Sequence, residues 1–222
     1  DGVTRRANSV LALDAGGDTS DLIDFAEAFY RDRGAAPLLQ VSSASAPQDL
    51  LPQLRTRGYG PSAHTLVQQA PTREVLERTN ATLNVEITLE PTEEWFDAYW
   101  SIESGRGRSE ADAIVCRHSL LAPGLPTAFA AARRGSEVVG VGQIVIERGW
   151  AGVQSMATSR AHRRQGVGNA VLRELGNEAS RQRVENMYLA VMSENSGATG
   201  LYERAGFTTV HEYSYFTTGS TD

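Results

Sequence analysis

One cysteine, Cys116, serves all 222 residues, so no internal disulfide can form. A lone thiol suits a reducing compartment, and the expected location is the cytoplasm. The four histidines, His64, His118, His162 and His211, show no metal-ligand spacing, so no metal site is expected. No run approaches the ~18 consecutive apolar residues of a membrane span, and no secretory pattern is visible. The chain opens on Asp1, which leaves its native start open. Absence of Gly-x-Ser-x-Gly argues against a serine hydrolase, and absence of Gly-Lys-Ser/Thr against a nucleotide-triphosphate loop. Basic residues are in deficit, with 21 Lys+Arg against 27 Asp+Glu and a net charge of -6. General nucleic-acid binding is therefore disfavoured, and neither nucleic acid nor membrane is expected as a partner.

What is present is an ordinary globular composition, 41% hydrophobic and 22% charged, with one stretch that stands apart. Arg160, His162, Arg163 and Arg164 form a basic cluster on an acidic background, and Gln165-Gly166-Val167-Gly168 follows directly. By itself a basic run is a solvated turn. Here it lies between an extended segment and an apolar, helix-forming run. Glycines permit tight bending and close approach, and the free N–H groups of the next helix point at an anion. A pyrophosphate is the natural guest. A dinucleotide site would need a third glycine, which Gly166-Val167-Gly168-Asn169-Ala170-Val171 lacks.

Around this cradle the patterns are clear. Residues 127–133 and 137–147 read as a hairpin turning at Gly135-Ser136, and 150–158 as a third strand. Val167, Ala170, Val171, Leu172 and Leu175 recur at helical spacing. A strand over 187–191, a helix over 198–204 stopping at Gly206, and a strand over 207–217 complete the order. Upstream, 92–103 and 109–121 read as two helices separated by Gly105-Arg106-Gly107, after a strand near Val85.

The first seventy residues predict a helix over 20–33, with Leu22, Ile23, Phe25, Ala26, Phe29 and Tyr30 as its apolar set. A strand over 38–41, a helix over 47–57 ending at Gly58-Tyr59, and a strand over 63–69 follow. The same order recurs from Val167 to Thr217, and Arg57-Gly58-Tyr59 echoes Ala205-Gly206-Phe207. This suggests a degenerate internal repeat; the alternative is chance likeness of two generic α/β stretches. The first copy lacks a glycine cradle, because Asp14-Ala15-Gly16-Gly17-Asp18 is acidic. The expected division is a half-domain over 1–70, a linker over 71–84 that is polar and centred on a possible short helix, and a main domain over 85–222.

Arg163-x-x-Gly166-x-Gly168 after a strand, Asn195 past the next strand, and Leu201-Tyr202 before Gly206-Phe207 occur in a fixed order. Together they resemble the GNAT superfamily of acyl-CoA-dependent N-acetyltransferases, over about Val85 to Thr217 and loosely over the half before it. Trp150-Ala151-Gly152, His162-Arg163-Arg164, His211-x-Tyr213-x-Tyr215 and Arg6-Ala7-Asn8-Ser9-Val10 are similar to an actinobacterial-type branch with a degenerate amino-terminal half. The resemblance implies an α/β (α+β) GNAT fold: a mixed, mostly antiparallel central sheet flanked by helices, preceded by a GNAT-like half-repeat. It also implies an acetyltransferase that moves an acetyl group from acetyl-CoA to a primary amine by direct attack in a ternary complex. The protein would be a monomer acting as a pseudo-dimer, or a homodimer.

Residue by residue, the resemblance implies that Met156, Ala157 and Thr158 pair with the pantetheine amides like an added strand, one N–H polarising the thioester carbonyl. N–H groups of Arg164, Gln165, Gly166, Val167, Gly168 and Asn169 would hold the pyrophosphate, with Arg163 and Arg164 adding charge or simply facing solvent. Asn195 would bond the cofactor or fix the turn before the helix. Tyr202 would touch the cofactor and protonate the leaving thiolate; otherwise it is a core tyrosine. The family often places a base on the strand before the cradle, where Gly152 and Gln154 stand here and cannot accept a proton. Glu103, Glu147 and Glu194, a remote base acting through water, or an amine of low pKa remain alternatives. Trp95 and Trp100 fall near the two predicted helices, where this family usually shapes the acceptor pocket, and are otherwise core residues. The rival is a non-catalytic acyl-CoA-binding or sensor module. A protein-interaction scaffold without a ligand is a third reading.

Overall fold

After a 3-10 turn at Arg6–Asn8 the chain lays down a short strand, β1 (Val10–Leu11), and then the helix α1 (Thr19–Arg31). The carboxylate of Asp18 accepts from the Ser20 N–H and opens that helix. A computed structural model describes residues 4–13, 16–103, 109–121 and 124–219; the Gly105-Arg106-Gly107 loop and Asp14-Ala15 lie outside the described residues. The remaining elements are β2 (Leu38–Ser42), α2 (Leu50–Thr56), β3 (Gly60–Pro71), α3 (Thr72–Arg78), β4 (Asn84–Thr88), α4 (Glu93–Glu103), α5 (Glu110–Leu121), β5 (Thr127–Arg134), β6 (Glu137–Glu147), β7 (Trp150–Thr158), α6 (Val167–Arg181), β8 (Asn186–Met192), α7 (Ser196–Arg204) and β9 (Thr208–Thr217).

Contacts divide the residues into two units. One comprises residues 68–191 with 195–210; the other comprises those up to 67, with 192–194 and those from 211 on. β3 and β9 contribute residues to both.

In the first unit, β4 pairs antiparallel with β5, β5 with β6 and β6 with β7, while β8 joins β7 in parallel. This is a mixed, mostly antiparallel sheet flanked by helices. The hairpin turns at Gly135, whose φ of 59° suits a residue without Cβ. β5 and β6 are buried along most of their length, including Phe129, Val139, Val141 and Ile144. The apolar stripe of α6, Val167, Ala170, Val171, Leu172 and Leu175, is wholly buried, as its spacing predicts. α4 enters with Trp95, whose indole N–H donates to the carbonyls of Ala130 at 2.9 Å and Gly142 at 3.3 Å.

The polar segment after residue 71 holds more than a link. Val75 of α3 is fully buried, and Arg173 of α6 donates to the carbonyls of Leu76 and Thr79, satisfying the end of α3.

In the second unit β1 pairs parallel with β2, and β2 pairs antiparallel with β9 over Leu38↔Thr217 to Ser42↔Tyr213. Its core joins Ile23, Leu39, Val41, Leu50, Leu54, Tyr59 and Phe216. The apolar set expected of α1 needs correction. Ile23, Ala26 and Tyr30 are buried, but Phe25 and Phe29 are 75% and 44% exposed. The stripe on the buried face is narrower than the apolar content suggests. α2 is also shorter than expected, beginning at Leu50 rather than Pro47.

Candidate functional site

The cradle is built where β7 ends. Ser159 and His162 close a 3-10 turn at Arg160–His162, with Ser159 Oγ 2.8 Å from His162 Nδ1. Arg164 then takes a φ of 63° and Gly166 a φ of 82°, both left-handed, and α6 begins at Val167. A Cβ at Gly166 would be strained there and would lie 3.2 Å from Thr82 Oγ1. Among the described residues no side chain caps α6. Its first intrahelical bond runs from Ala170 N–H to the Gly166 carbonyl, so the amides before it are not consumed by the helix. The positive end of the α6 dipole and the exposed Arg160, Arg163 and Arg164 add to the field at this corner.

Neighbouring contacts hold the corner still. Arg163 Nε donates to the Thr158 carbonyl at 3.4 Å, and Gln165 Nε2 to the Ala161 carbonyl at 2.9 Å. Asn169 Oδ1 accepts from the Asn80 N–H at 2.9 Å, tying the first turn of α6 to the segment after α3. Gly168 has no room for a side chain beyond contact with Leu201 Cδ2, 3.0 Å from where its Cβ would stand. That approach brings α7 against the first turn of α6.

Beside the cradle the sheet splays. The parallel register of β7 and β8 runs from Trp150↔Asn186 to Gly152↔Tyr188 and ends there, although β7 continues to Thr158 and β8 to Met192. Met156, Ala157 and Thr158 therefore lie on the stretch of β7 that has parted from β8, with β6 on their other side. The backbone edge so exposed can pair with an extended ligand. At Gly152 the tyrosine ring of Tyr188 takes the side-chain space, its hydroxyl 2.8 Å from a built Cβ.

The ladder between β6 and β7 slips at the same level. Val141 faces Ala157 and Gln143 faces Gln154, so Gly142 alone opposes Ser155 and Met156. This is a β-bulge, and Ser155 takes a φ of 51° within it.

α7 carries the remaining expected residues. Asn195 caps it, Oδ1 accepting from the Ala198 N–H at 3.2 Å, so the turn-fixing role is formed. Tyr202 is buried, its ring edge-on to Phe207 at 5.8 Å. Burial alone pushes its phenol up to about 12. Gly206, with φ of 96°, turns the chain so that the Phe207 N–H reaches the Tyr202 carbonyl at 3.0 Å.

The carboxylates considered as bases are surface groups: Glu103, Glu147 and Glu194 are all exposed, and Glu147 lies 3.5 Å from Arg148. Gln154 is exposed. Sequence reading missed Gln143 and Ser155, which bond to each other across the bulge at 3.2 Å. A single glutamine inside an apolar Val-Ile strand was the available signal. Among the described residues no group of three His, Cys, Asp or Glu is placed to hold a metal ion, and no helix is long and apolar enough to cross a membrane.

The antiparallel strands β4 to β7, the parallel β7–β8 pair and the flanking helices define a mixed α/β protein. The model of the acetyltransferase (GNAT) family matches residues 89–207, and the chain belongs to that family. It is 30% identical over 217 residues to the uncharacterized N-acetyltransferase YobR of Bacillus subtilis (strain 168), covering 96% of this chain and 85% of the relative. A GCN5-related N-acetyltransferase from Kribbella flavida shares the fold at a TM-score of 0.68 and 15% identity, over 95% of this chain and 80% of the other. A tandem GNAT protein from the clavulanic acid biosynthesis pathway shares it at 0.72 and 14% identity, over 91% and 70%.

Proposed function

We propose that the protein transfers an acetyl group from acetyl-CoA to a primary amine within a ternary complex. The observation that carries this reading is the splay of β7 from β8 beyond Gly152, opening toward the uncapped start of α6. Pantetheine lies along Met156, Ala157 and Thr158, and the pyrophosphate on the amides from Arg164 to Asn169, as the cradle geometry supports. Asn195 holds the turn before α7, and Tyr202 protonates the leaving sulfur. A phenol near 12 is a weak donor to a thiolate of ordinary pKa ~8.5, but burial raises the leaving thiol as well and narrows the gap. The single cysteine, Cys116, can form no internal disulfide, which fits a reducing cytoplasm.

The amino-terminal half is a degenerate sister of the segment from α6 to β9. At its turn, Tyr59 N–H reaches the Leu54 carbonyl at 3.0 Å past Gly58 (φ 82°), as Phe207 reaches Tyr202 past Gly206. Leu54 thus stands where the second copy has Tyr202, so this half carries no equivalent acid. It lets one chain act as a pseudo-dimer.

Calorimetry with coenzyme A and a thiol-release assay with acetyl-CoA and a panel of amines test the proposal. Binding with thiol release is expected. Tight binding without release from any amine would favour an acyl-CoA sensor module instead, and absence of binding would end both readings.

A further inference from the structure

A fixed chain of donors and acceptors crosses the sheet at the bulge. It starts at the Leu120 carbonyl near the end of α5, which can only accept. Gln143, 1% exposed, donates its Nε2 to that carbonyl at 3.3 Å. The amide orientation follows, because only the NH2 end can face a carbonyl. Oε1 is then the end that meets Ser155 Oγ at 3.2 Å. Oε1 carries no proton, so the Ser155 hydroxyl must donate its own. Ser155 is left with lone pairs alone and faces any ligand purely as an acceptor.

Its position suits a reacting amine. Ser155 lies past the last β7–β8 register pair, on the wall of the splay. Gly142 faces Val171 and Leu175 of α6, so the adjacent Gln143 points to the opposite face, toward α5, and Ser155 meets it there. Ser155 is partly exposed, unlike its buried partner. The backbone adds a second indication. Ser155 takes its φ of 51° inside the bulge, which turns its side chain out of the regular alternation of β7.

Resting on the acetyl-transfer reading above, we propose that Ser155 holds the attacking amine, its oxygen accepting a hydrogen bond from the acceptor N–H. The nitrogen lone pair then faces the thioester carbon. The N–C bond forms, the C–S bond breaks, and the sulfur leaves as a thiol with the proton from Tyr202. The proton given up by the amine passes through water and replaces the one Tyr202 gave. Gln143 is a positioning residue that sets the polarity of Ser155.

The test measures thiol release from acetyl-CoA with ethanolamine, tyramine, spermidine and free lysine, for wild type, Ser155→Ala, Gln143→Met and the double variant. The double variant removes the Gln143 amide together with the hydroxyl, so no Gln143 Oε1 is left without its donor, and it keeps the test valid if Ser155→Ala is unstable. Expected is a ~10-fold rise in amine KM for Ser155→Ala and the double variant, with acetyl-CoA KM and coenzyme A affinity within ~2-fold. Gln143→Met alone, which frees the hydroxyl to rotate, raises amine KM less. An amine KM unmoved by Ser155→Ala overturns the inference while leaving acetyl transfer standing. If wild type binds coenzyme A but turns over none of the four, calorimetry of the same amines on the coenzyme A-saturated protein decides: Ser155-dependent binding supports the inference, and its absence overturns it. Failure to bind coenzyme A removes acetyl transfer itself, and the inference with it.

Discussion

Val167 stands in the space that Gly140 leaves empty: a Cβ on Gly140 would lie 2.3 Å from Val167 Cγ1. The first residue of the cradle helix is thereby seated on β6. Gly140→Ala forces that helix start to move, with an expected loss of about 2–3 kcal/mol from overpacking. Urea denaturation measures it, and Val167→Ala in the same chain restores part of the loss. A Gly140→Ala protein of wild-type stability would show that the seat does not fix the helix.

The left-handed turn at Gly166 gives a sharper handle on ligand binding. Gly166→Ala adds roughly 1–2 kcal/mol of backbone strain and presses on Thr82 Oγ1. Coenzyme A affinity by calorimetry should fall ~10-fold. Gly166→Asn should fall less, since asparagine tolerates this conformation better. Equal affinity for all three proteins would remove the corner from the binding site.

Tyr202→Phe should lower turnover ~10–100-fold at unchanged coenzyme A affinity. The phenol also leaves a signature in stability. Its folded pKa of about 12 lies above the ~10 of an unfolded tyrosine, so the neutral form is favoured by the fold. That contribution is complete below pH ~10 and drains away as pH rises through ~12. Wild type should therefore lose about 1 kcal/mol more than Tyr202→Phe between pH 9 and 11, read from urea midpoints. Parallel pH profiles would mean that the ring is not desolvated in solution. Because Tyr202 stays protonated up to pH ~11, any fall in rate at lower pH belongs to another group.

Asn195 separates a structural role from a ligand role. Its cap on α7 predicts a loss of about 1 kcal/mol in Asn195→Ala, with Asn195→Ser close to wild type. If it also touches the cofactor, Asn195→Ser lowers coenzyme A affinity despite restored stability. Calorimetry beside denaturation distinguishes the two.

Much of the first unit was legible because its elements are long and their periods clean. β6 and β7 run from Glu137 to Glu147 and from Trp150 to Thr158, as their apolar runs and flanking glycines indicate, and every apolar position assigned to α6 is buried. The glycine corner was legible for a local reason: a left-handed turn before a helix asks for glycine, and Gly166 supplies it. α1 misled because Phe25 and Phe29 carry apolar side chains that the fold leaves in water, and composition does not say which stripe will meet a partner. The Gln143–Ser155 pair was not legible, since the residues are twelve positions apart on different strands and meet through a bulge that no periodicity announces.

Sequence by itself determined most of the helices and strands, the hairpin at Gly135 and the glycine corner, because those follow from dihedral preferences and side-chain period within a few residues. Tertiary structure alone decided where β7 and β8 part and which way the Ser155 hydroxyl points. Each of these depends on partners brought together from distant segments, and a hydrogen bond has a direction only once both of its ends are in place.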